Sequence, residues 1–236
     1  MASKEIFSEE DKKYLKELFE KHMKEPVEID LYLDNKNNAD ASDFAKRLAE
    51  ELMSISNNKI KFNIYDSFDP KIEEEMKNKK LLIDNVGHRR GPLFVFKKYP
   101  GIIYLGLPAG EEFPIFLEDI LHVSSDHFHV DGATIKKLAS IEKNLDILVF
   151  VTPTCPYCPY MTHNAHQFAM VKKNIRGIMV ESTEFPEFAE SFHVYGVPHI
   201  AILDENGKKL EEWEGMLPEA ELFADKIKKS VEKSSK

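Results

Sequence analysis

The two halves of this chain follow the same order of predicted secondary structure. The spacing of apolar residues predicts helix, strand, helix, strand, helix, strand, strand and helix in each half. A local similarity supports a duplication, because YLGLPAGEEFPIFLEDI and EWEGMLPEAELFADKI both place a glycine and a proline before a Glu-rich helix with Phe and Leu. A period of about one hundred residues indicates duplicated domains rather than a solenoid. The sequence therefore predicts an α/β fold with two domains, at residues 1–123 and 124–236.

The boundaries of the predicted elements follow from capping residues, prolines and hydrophobic periodicity. In the first half, helices are predicted at 8–23, 39–55, 69–78 and 109–124, and strands at 27–34, 59–66, 91–98 and 102–107. In the second half, helices are predicted at 131–141, 155–174, 185–194 and 217–233, strands at 145–152 and 176–183, and a hairpin at 198–215. The turn of this hairpin is predicted at Asn206–Gly207.

The composition is that of a globular, acidic protein. Hydrophobic residues make up 42% of the 236 positions, and the formal net charge is −9. An acidic surface argues against nucleic acid or an anionic membrane as a partner, because both bind basic patches. No apolar run approaches the ~20 residues needed to span a bilayer, and the charged N-terminus lacks the apolar segment of a secretory signal. The sequence thus predicts a cytoplasmic protein with no nucleic-acid and no membrane partner.

The only two cysteines of the chain, Cys155 and Cys158, lie in the stretch TPTCPYCPY. One pair cannot form a disulfide scaffold for so long a chain, and in a reducing compartment a Cys-x-x-Cys pair is typical of catalysis or metal binding. The pair lies where an apolar strand is predicted to end and a helix to begin, with Pro156 at an early helical position. Unpaired amide groups and the positive end of the helix dipole are therefore expected to face the Cys155 sulfur and to lower its pKa.

Cys158 is predicted to lie on the same helix face as Cys155 and deeper in the helix. This placement predicts Cys155 as the nucleophile and Cys158 as the resolving thiol, which attacks a mixed disulfide at Cys155 and releases the substrate. A zinc site is one alternative, since His163 and His166 follow closely. However, these histidines lie about 300° apart around one helix, and zinc ligands usually come from two separated arms. Two inert, buried thiols are the other alternative.

These motifs resemble those of a known family. A strand, then Cys-Pro-Tyr-Cys at a helix start, and later Val197–Pro198 before a strand and hairpin resemble the thioredoxin/glutaredoxin fold. The tandem arrangement, with FVTPTCPYCP, GLPAGEEF, FLEDI and MVES, closely resembles the protein disulfide oxidoreductases of thermophilic prokaryotes over nearly the whole chain. The resemblance implies two tandem thioredoxin-like units, each with a central mixed β-sheet flanked by helices.

The resemblance also implies a substrate-binding surface. In this family a cis-proline loop faces the cysteine pair, so Pro198 is expected to follow a cis peptide bond. The backbone of Val197 is then expected to pair with an extended substrate strand beside Cys155. Pro156 and Tyr157, between the cysteines, complete the set of predicted substrate-binding residues. The alternative is that Val197–Pro198 merely opens a strand with a trans bond.

The first half departs from the family, whose members commonly carry a cysteine pair in each half. Aligning LYLDNKNNADASDFAKRLAEEL with LVFVTPTCPYCPYMTHNAHQF puts Ala39 and Ser42 at the two cysteine positions. Gly91–Pro92 keeps the proline of the cis-proline loop. The N-terminal unit is therefore predicted to be redox-silent and to serve packing or partner binding.

A second departure concerns proton transfer. Thioredoxins place a buried Asp on the strand before the cysteine motif, but here that strand, ILVFV, is apolar. Glu181, at the end of the neighbouring predicted strand, is the nearest candidate to accept the proton of Cys158. The alternative is that Glu181 is a solvated residue at a strand end.

Together these features predict a thiol–disulfide oxidoreductase that reduces, oxidises or isomerises protein disulfides through Cys155 and Cys158, with no cofactor and no bound metal. One alternative is an electron-relay module between a flavin disulfide reductase and a peroxiredoxin, as in the alkyl hydroperoxide reductase flavoprotein, whose N-terminal domain also pairs a thiol-less half with an active half. Another is a client-binding module. The predicted partners are protein disulfides or dithiols, with a thioredoxin-reductase-like flavoprotein or a peroxiredoxin as further candidates. A flavin reductase would be a separate protein, because the sequence has no Gly-x-Gly-x-x-Gly motif.

Overall fold

The computed structural model of the protein describes residues 5–82 and 91–234. Within these residues the predicted order of eight α-helices and eight strands is confirmed. The helices are α1 (Glu9–His22), α2 (Ala39–Ile55), α3 (Pro70–Asn78), α4 (Phe113–Ser125), α5 (Gly132–Ala139), α6 (Cys158–Val171), α7 (Pro186–Ser191) and α8 (Ala220–Ser234). The strands are β1 (Val27–Leu33), β2 (Ile60–Asp66), β3 (Leu93–Phe96), β4 (Ile102–Leu105), β5 (Leu145–Val151), β6 (Ile175–Glu181), β7 (His199–Asp204) and β8 (Lys209–Glu214). A short 3-10 helix, Gly110–Glu112, directly precedes α4.

One compact unit consists of the described residues of Met1–Lys98 together with Ile120–His127. In its sheet, β1 is central, parallel to β2 and antiparallel to β3. β1 and β3 are buried over almost their whole length, as expected for strands covered on both faces. Ser8 begins α1 in a reciprocal capping box with Asp11, which satisfies amide groups of the first helical turn.

The second compact unit consists of Tyr99–Asp119 and the described residues of Phe128–Lys236. Its strands follow the order β4, β6, β5, β7 and β8. β6 is parallel to β4 and to β5, whereas β7 is antiparallel to β5 and to β8, so the sheet is mixed. β4 therefore belongs to the sheet of this unit. The predicted domains, 1–123 and 124–236, have bounds that differ from those of the two compact units, and they remain a prediction.

The strand directions of the second unit bring four chain segments to one edge of its sheet. Because β4, β5 and β6 are parallel, the segments that follow them begin at the same edge. These segments are the 3-10 helix after β4, the cysteine segment after β5 and the Glu181 turn after β6. β7 is antiparallel to β5, so Pro198, which precedes β7, lies at this edge too. None of the described helices is long and apolar enough to cross a membrane.

Candidate active site

The two cysteines form a disulfide in the segment that joins β5 to α6, with their Cα atoms 5.5 Å apart. The amide of Cys155 donates to the Thr152 carbonyl (3.1 Å), which holds the loop in a turn. The predicted helix start is wrong, since α6 begins at Cys158 and not at Cys155, with Tyr157 as its N-cap. Pro159 rather than Pro156 takes the early helical position, because the residues between the cysteines form a turn.

The two cysteines differ in their surroundings, although Cys155 lies before α6 and not on the same helix face as Cys158. Cys155 is 7% exposed, whereas Cys158 is completely buried at the first turn of α6. The amide of Cys158 donates to Sγ of Cys155 over 3.2 Å. Tyr157 is the N-cap and makes no side-chain hydrogen bond, and the sulfur of Cys155 accepts from the first amide of α6. A thiolate at Cys155 would accept the same hydrogen bond and would lie at the positive end of the α6 dipole.

A groove of about 650 Å³ connects the cysteine segment with the cis-proline loop. The Val197–Pro198 and Gly91–Pro92 bonds are both cis, so the expected cis bond before Pro198 is confirmed. Thr152, whose carbonyl accepts the Cys155 amide, and Val197 both line the groove. The remaining lining residues come from the segments around α7: Ser182, Thr183, Pro186, Ala189, Glu190, His193, Val194, Tyr195 and Gly196. Tyr195 is 89% exposed at the rim, and Tyr157 between the cysteines is also exposed.

Glu181 is buried rather than solvated, and its carboxylate is engaged locally. Its oxygens accept hydrogen bonds from the hydroxyl and the amide of Thr183 and from the amide of Glu184. These bonds form the turn that leads from β6 towards α7. The carboxylate of Glu181 thus stabilises a tight turn at the edge of the sheet where the cysteines lie.

A second buried carboxyl group, that of Glu112, lies against the cysteine helix. The side chain is 1% exposed, and neither oxygen makes a hydrogen bond of ordinary geometry. Burial raises the pKa of Glu112 to about 7, while Thr162 and His166 offset part of the increase. Thr162 and His166 follow Cys158 by one and two helical turns, so Glu112 faces the buried side of α6 on which Cys158 begins.

Gly110 allows the 3-10 helix to lie directly on the cysteine segment. Its φ of +60° is readily adopted only by glycine, and a Cβ at this position would overlap the carbonyl of Pro153. The amide of Glu111 donates to that same carbonyl over 2.9 Å. Pro153 lies two residues before Cys155 in the sequence. The backbone of the segment between β5 and α6, through the carbonyl of Pro153, therefore holds the 3-10 helix that carries Glu112.

Comparison with known proteins identifies the fold of this site. The family model described as "Thioredoxin domain" matches residues 145–228. These residues form a thioredoxin-family domain. They include the cysteine pair, the cis-proline loop and every residue that lines the groove. A sequence comparison with curated proteins gave no match.

Several solved structures are similar to this chain over nearly its whole length, and not only over residues 145–228. A protein disulfide oxidoreductase from Aeropyrum pernix k1 is 28% identical with a TM-score of 0.79, covering 96% of this chain and 94% of that chain. The alkylhydroperoxide reductase AhpF from Enterococcus faecalis is 21% identical with a TM-score of 0.71, covering 94% of this chain and 99% of that chain. A structure of the N-terminal domain of AhpF is 20% identical, with a TM-score of 0.72 and the same coverage. The predicted fold class is therefore confirmed, and the chain is a thioredoxin-fold oxidoreductase with a disulfide-forming cysteine pair.

The histidines that follow the cysteines in the thioredoxin-family domain face two different carboxylates. His166 is fully buried with Nδ1 2.7 Å from Asp119, whereas His163 is partly exposed with Nδ1 3.4 Å from Glu118. Burial lowers the pKa of His163. Over residues 5–82 and 91–234, no group of three or more His, Cys, Asp or Glu side chains has an arrangement that could hold a metal ion.

The N-terminal unit has a hydrogen-bonded loop where the thioredoxin-family domain has its cysteines. Ser42, at the first buried position of α2, accepts the amide of Asp34 (2.9 Å) and donates to its carbonyl (3.1 Å). The carboxylate of Asp34 accepts the amides of Lys36 and Asn37. Both cysteines of the chain therefore lie in the second unit, and the hydroxyl of Ser42 stabilises the turn before α2.

Proposed function

We propose that this chain exchanges disulfides with other proteins through the single Cys155–Cys158 centre. The observation that carries the proposal is the disulfide at the start of α6, beside a groove that Thr152 and Val197 line. The sulfur of Cys155 is the more exposed of the two and accepts a helix amide, which suits an attacking thiolate. The likeness to the Aeropyrum pernix protein, described as a protein disulfide oxidoreductase, supports protein disulfides as the substrate class.

The reaction uses only the two sulfur atoms and a proton acceptor. In the reductive direction, the Cys155 thiolate attacks one sulfur of a substrate disulfide, forms a mixed disulfide and releases the first substrate thiolate. Cys158 then loses its proton, its sulfur attacks Sγ of Cys155, and the second substrate thiolate leaves. The substrate gains two electrons and the cysteine pair loses two. The oxidative direction is the reverse of this sequence, and isomerisation uses its first step and the reversal of that step.

Glu112 is the group that we assign to the proton of Cys158, ahead of the predicted Glu181. The oxygens of Glu112 are not held by ordinary hydrogen bonds, and its raised pKa of about 7 lets it accept and return a proton near neutral pH. The carboxylate of Glu181, by contrast, accepts several hydrogen bonds from its own turn, which occupy its oxygens. Both residues remain candidates that a pair of variants can separate.

The substrate is proposed to bind as an extended segment along the cis-proline loop. The backbone of Val197 pairs with the segment, and Pro156, Tyr157 and Pro198 contact its side chains. Among the groove residues, all of them described, Glu190 carries the only fixed charge. A neutral or basic protein segment fits this groove better than glutathione, because nothing in the groove compensates the carboxylates of glutathione.

The N-terminal unit is proposed to be redox-silent and to hold partners or stabilise the active domain. Its position equivalent to a resolving cysteine is Ser42, which cannot form a disulfide. The exchange is proposed to take place in the cytoplasm, since the chain uses cysteine only in its Cys-x-x-Cys pair. The direction of net electron flow follows from the reduction potential of the pair against that of the compartment, at about 30 mV per 1.4 kcal/mol.

Serine variants of the two cysteines test this function. Cys155→Ser is expected to abolish reduction of insulin disulfides, because no other thiol remains at the attacking position. Cys158→Ser is expected to accumulate a mixed disulfide with the substrate, visible on a non-reducing gel and reversed by dithiothreitol. Turnover that survives Cys155→Ser contradicts the proposal.

An electron relay is the second candidate, because the chain shares its fold with the N-terminal domain of the alkylhydroperoxide reductase AhpF. A relay passes electrons from a separate flavoprotein to a peroxiredoxin, and a client-binding module needs no thiol. Peroxide reduction that requires this chain, a thioredoxin-reductase-like flavoprotein and a peroxiredoxin, with poor insulin reduction, favours the relay. Client affinity that is unchanged in Cys155→Ser favours a client-binding module.

A further inference from the structure

The groove beside the cis-proline loop contains two aromatic side chains that the disulfide exchange does not use. His193 and Tyr195 lie between α7 and β7 and line the groove, as Val197 does. Their rings are nearly parallel, with an interplanar angle of 14° and 6.5 Å between the centroids. Among the residues that the structure describes, Tyr195 is the most exposed large hydrophobic side chain, at 89%. Such an aromatic surface beside a redox site is suited to contact a partner.

The backbone at the end of α7 places the ring of His193 in the groove at an energetic cost. The helix ends in a Schellman motif, in which the amide of Val194 donates to the carbonyl of Ala189 over 3.0 Å. The amide of His193 donates to the carbonyl of Glu190 over 2.8 Å. His193 takes the left-handed position of this motif, with a φ of +52°, where glycine is usual because a Cβ disfavours the conformation. The chain thus keeps a ring where glycine would suit the backbone better, which indicates a role for the ring.

Two carboxylates give the surroundings of Tyr195 a negative charge. Glu190, in the last turn of α7, lines the groove, is exposed, and makes no ion pair within residues 5–82 and 91–234. The carboxylate of Glu214, at the end of β8, lies against Gly196, since a Cβ at Gly196 would stand 2.3 Å from its Oε1. The formal net charge of the whole chain is −9. A positively charged side chain therefore suits this groove better than an acidic one.

An arginine side chain combines the two contacts that the groove provides. Its guanidinium is planar and always charged, so its face stacks on an aromatic ring while its edge donates hydrogen bonds to a carboxylate. Tyr195 provides the ring and Glu190 the carboxylate. A lysine ammonium is compact and strongly hydrated, so it makes the ion pair without the stacking. A phenylalanine stacks on the ring and leaves Glu190 unpaired.

We propose that this groove is a subsite for an arginine of the substrate protein, whose guanidinium stacks on Tyr195 and pairs with Glu190. The Cα atoms of Tyr195 and Val197 are at most about 7 Å apart, which is the length of about two residues of an extended strand. The arginine is therefore expected about two residues from the exchanged cysteine. The inference rests on the proposed function and narrows its substrate class to protein segments with arginine beside their disulfide.

Four peptides test the subsite with the unmodified, reduced protein. Each carries one cysteine as a mixed disulfide with a coloured thiol, and the same residue, arginine, lysine, phenylalanine or alanine, two positions before and two positions after that cysteine. The Cys155 thiolate attacks the peptide sulfur, the disulfide bond breaks, and the coloured thiolate leaves. Relative to the alanine peptide, the second-order rate constant is expected to be about tenfold higher for arginine and about threefold higher for lysine and for phenylalanine. Equal rates for the arginine and alanine peptides, or for the arginine and lysine peptides, overturn the proposal.

Variants locate the two contacts separately. Glu190→Gln is expected to remove the advantage of lysine and to reduce that of arginine to about threefold, with phenylalanine unchanged. Tyr195→Ala is expected to remove the advantage of phenylalanine and to reduce that of arginine to about threefold, with lysine unchanged. His193→Asn keeps a residue that tolerates the left-handed backbone and removes the ring stacked on Tyr195, so it is expected to act in the same direction as Tyr195→Ala. Glu187→Gln is the matched control, because Glu187 is exposed on the same helix but does not line the groove. A loss of arginine preference in Glu187→Gln as large as in Glu190→Gln overturns the proposal.

Non-covalent binding separates this inference from the proposed function. The same peptides, with serine in place of cysteine, are titrated into the oxidised protein, and the ring signals of Tyr195 are followed by NMR. The arginine peptide is expected to bind with a dissociation constant about tenfold lower than that of the alanine peptide. Preferential binding of arginine without any disulfide exchange contradicts the proposed function and leaves the subsite in place. Exchange at equal rates with all four peptides overturns the subsite and leaves the proposed function in place. Where no exchange occurs, binding without a preference for arginine overturns the subsite as well.

Discussion

At the scale of single residues, the second compact unit has two carboxyl groups with different surroundings at the same edge of its sheet. The oxygens of Glu181 accept hydrogen bonds from Thr183 and Glu184, whereas those of Glu112 are buried without a bond of ordinary geometry. Burial without such bonds raises the pKa of Glu112 to about 7. This environment, rather than closeness in sequence, is the reason that Glu112 is proposed to take a proton from Cys158.

Removal of the Glu112 carboxyl is expected to slow the resolving step and to leave the attack by Cys155 unchanged. Glu112→Gln removes the proposed proton acceptor, so release of substrate from the mixed disulfide should slow by about a hundredfold near pH 7.5. Stopped-flow measurement with a peptide that carries a coloured leaving thiol separates attack from resolution. Glu181→Gln is the matched control and is expected to change the resolving rate by less than about threefold. A larger loss in Glu181→Gln than in Glu112→Gln assigns the role to Glu181 instead.

At the scale of secondary-structure elements, the site depends on the contact between the 3-10 helix and the redox loop. Gly110 provides this contact, since any Cβ there would overlap the carbonyl of Pro153. Gly207, in the hairpin between β7 and β8, also has a positive φ, of +76°, but a Cβ at this position would have no atom within 4 Å. The two glycines therefore separate the cost of the backbone conformation from the cost of the close approach.

Gly110→Ala is expected to cost more stability than Gly207→Ala and to affect the active site as well. Both variants lose about 1 kcal/mol from the positive φ, and Gly110→Ala loses a further 1–3 kcal/mol, roughly, from the displaced loop. Only Gly110→Ala is expected to slow the resolving step, because only it moves Glu112. Urea unfolding and the same stopped-flow measurement test both effects. Equal losses of stability in the two variants would show that the contact with Pro153 contributes nothing.

The sequence predicted those elements whose signals are local. The start of α1 near Ser8, the helical periodicity, the presence of the hairpin and the cysteines near the start of α6 need only neighbouring residues. The hairpin turn itself lies one residue earlier than predicted, because the amide of Gly207 donates to the carbonyl of Asp204 and so places Glu205 and Asn206 in the centre of the turn. The exact start of α6 was wrong by three residues, because Pro156 and Pro159 both suit a first turn. The cis bond before Pro198 came from the family resemblance, not from a local rule.

Glu112 and the bonded group around His166 could not be predicted in the same way. Both depend on the pairing of β4 with β6, which brings a segment of the first sequence repeat against α6. A pattern of apolar residues predicts that β4 is a strand but contains no signal for its partner. The one available signal was chemical, since the GEEF segment places two carboxyl groups at the start of an apolar helix.

At the scale of the whole molecule, buried ionisable groups link stability to pH in opposite directions. Burial raises the pKa of Glu112 from 4.5 to about 7, so its contribution is fully present below the unfolded value and is lost as the pH rises through about 7. Burial lowers the pKa of His163 and of His199, so their contribution is present above the unfolded value and is lost as the pH falls. The measured stability of the unmodified protein is the sum of these effects.

Comparison with Glu112→Gln isolates the contribution of Glu112, because the histidines contribute equally to both proteins. The free energy of unfolding of the unmodified protein, minus that of Glu112→Gln, is expected to fall by about 2–3 kcal/mol between about pH 5 and about pH 8. The measurement is urea unfolding of both oxidised proteins over that range, with constant ionic strength. A difference that does not change with pH would mean that Glu112 keeps an ordinary pKa. The carboxyl group would then be ionised throughout the neutral range and would be too weak a base to accept the proton of Cys158.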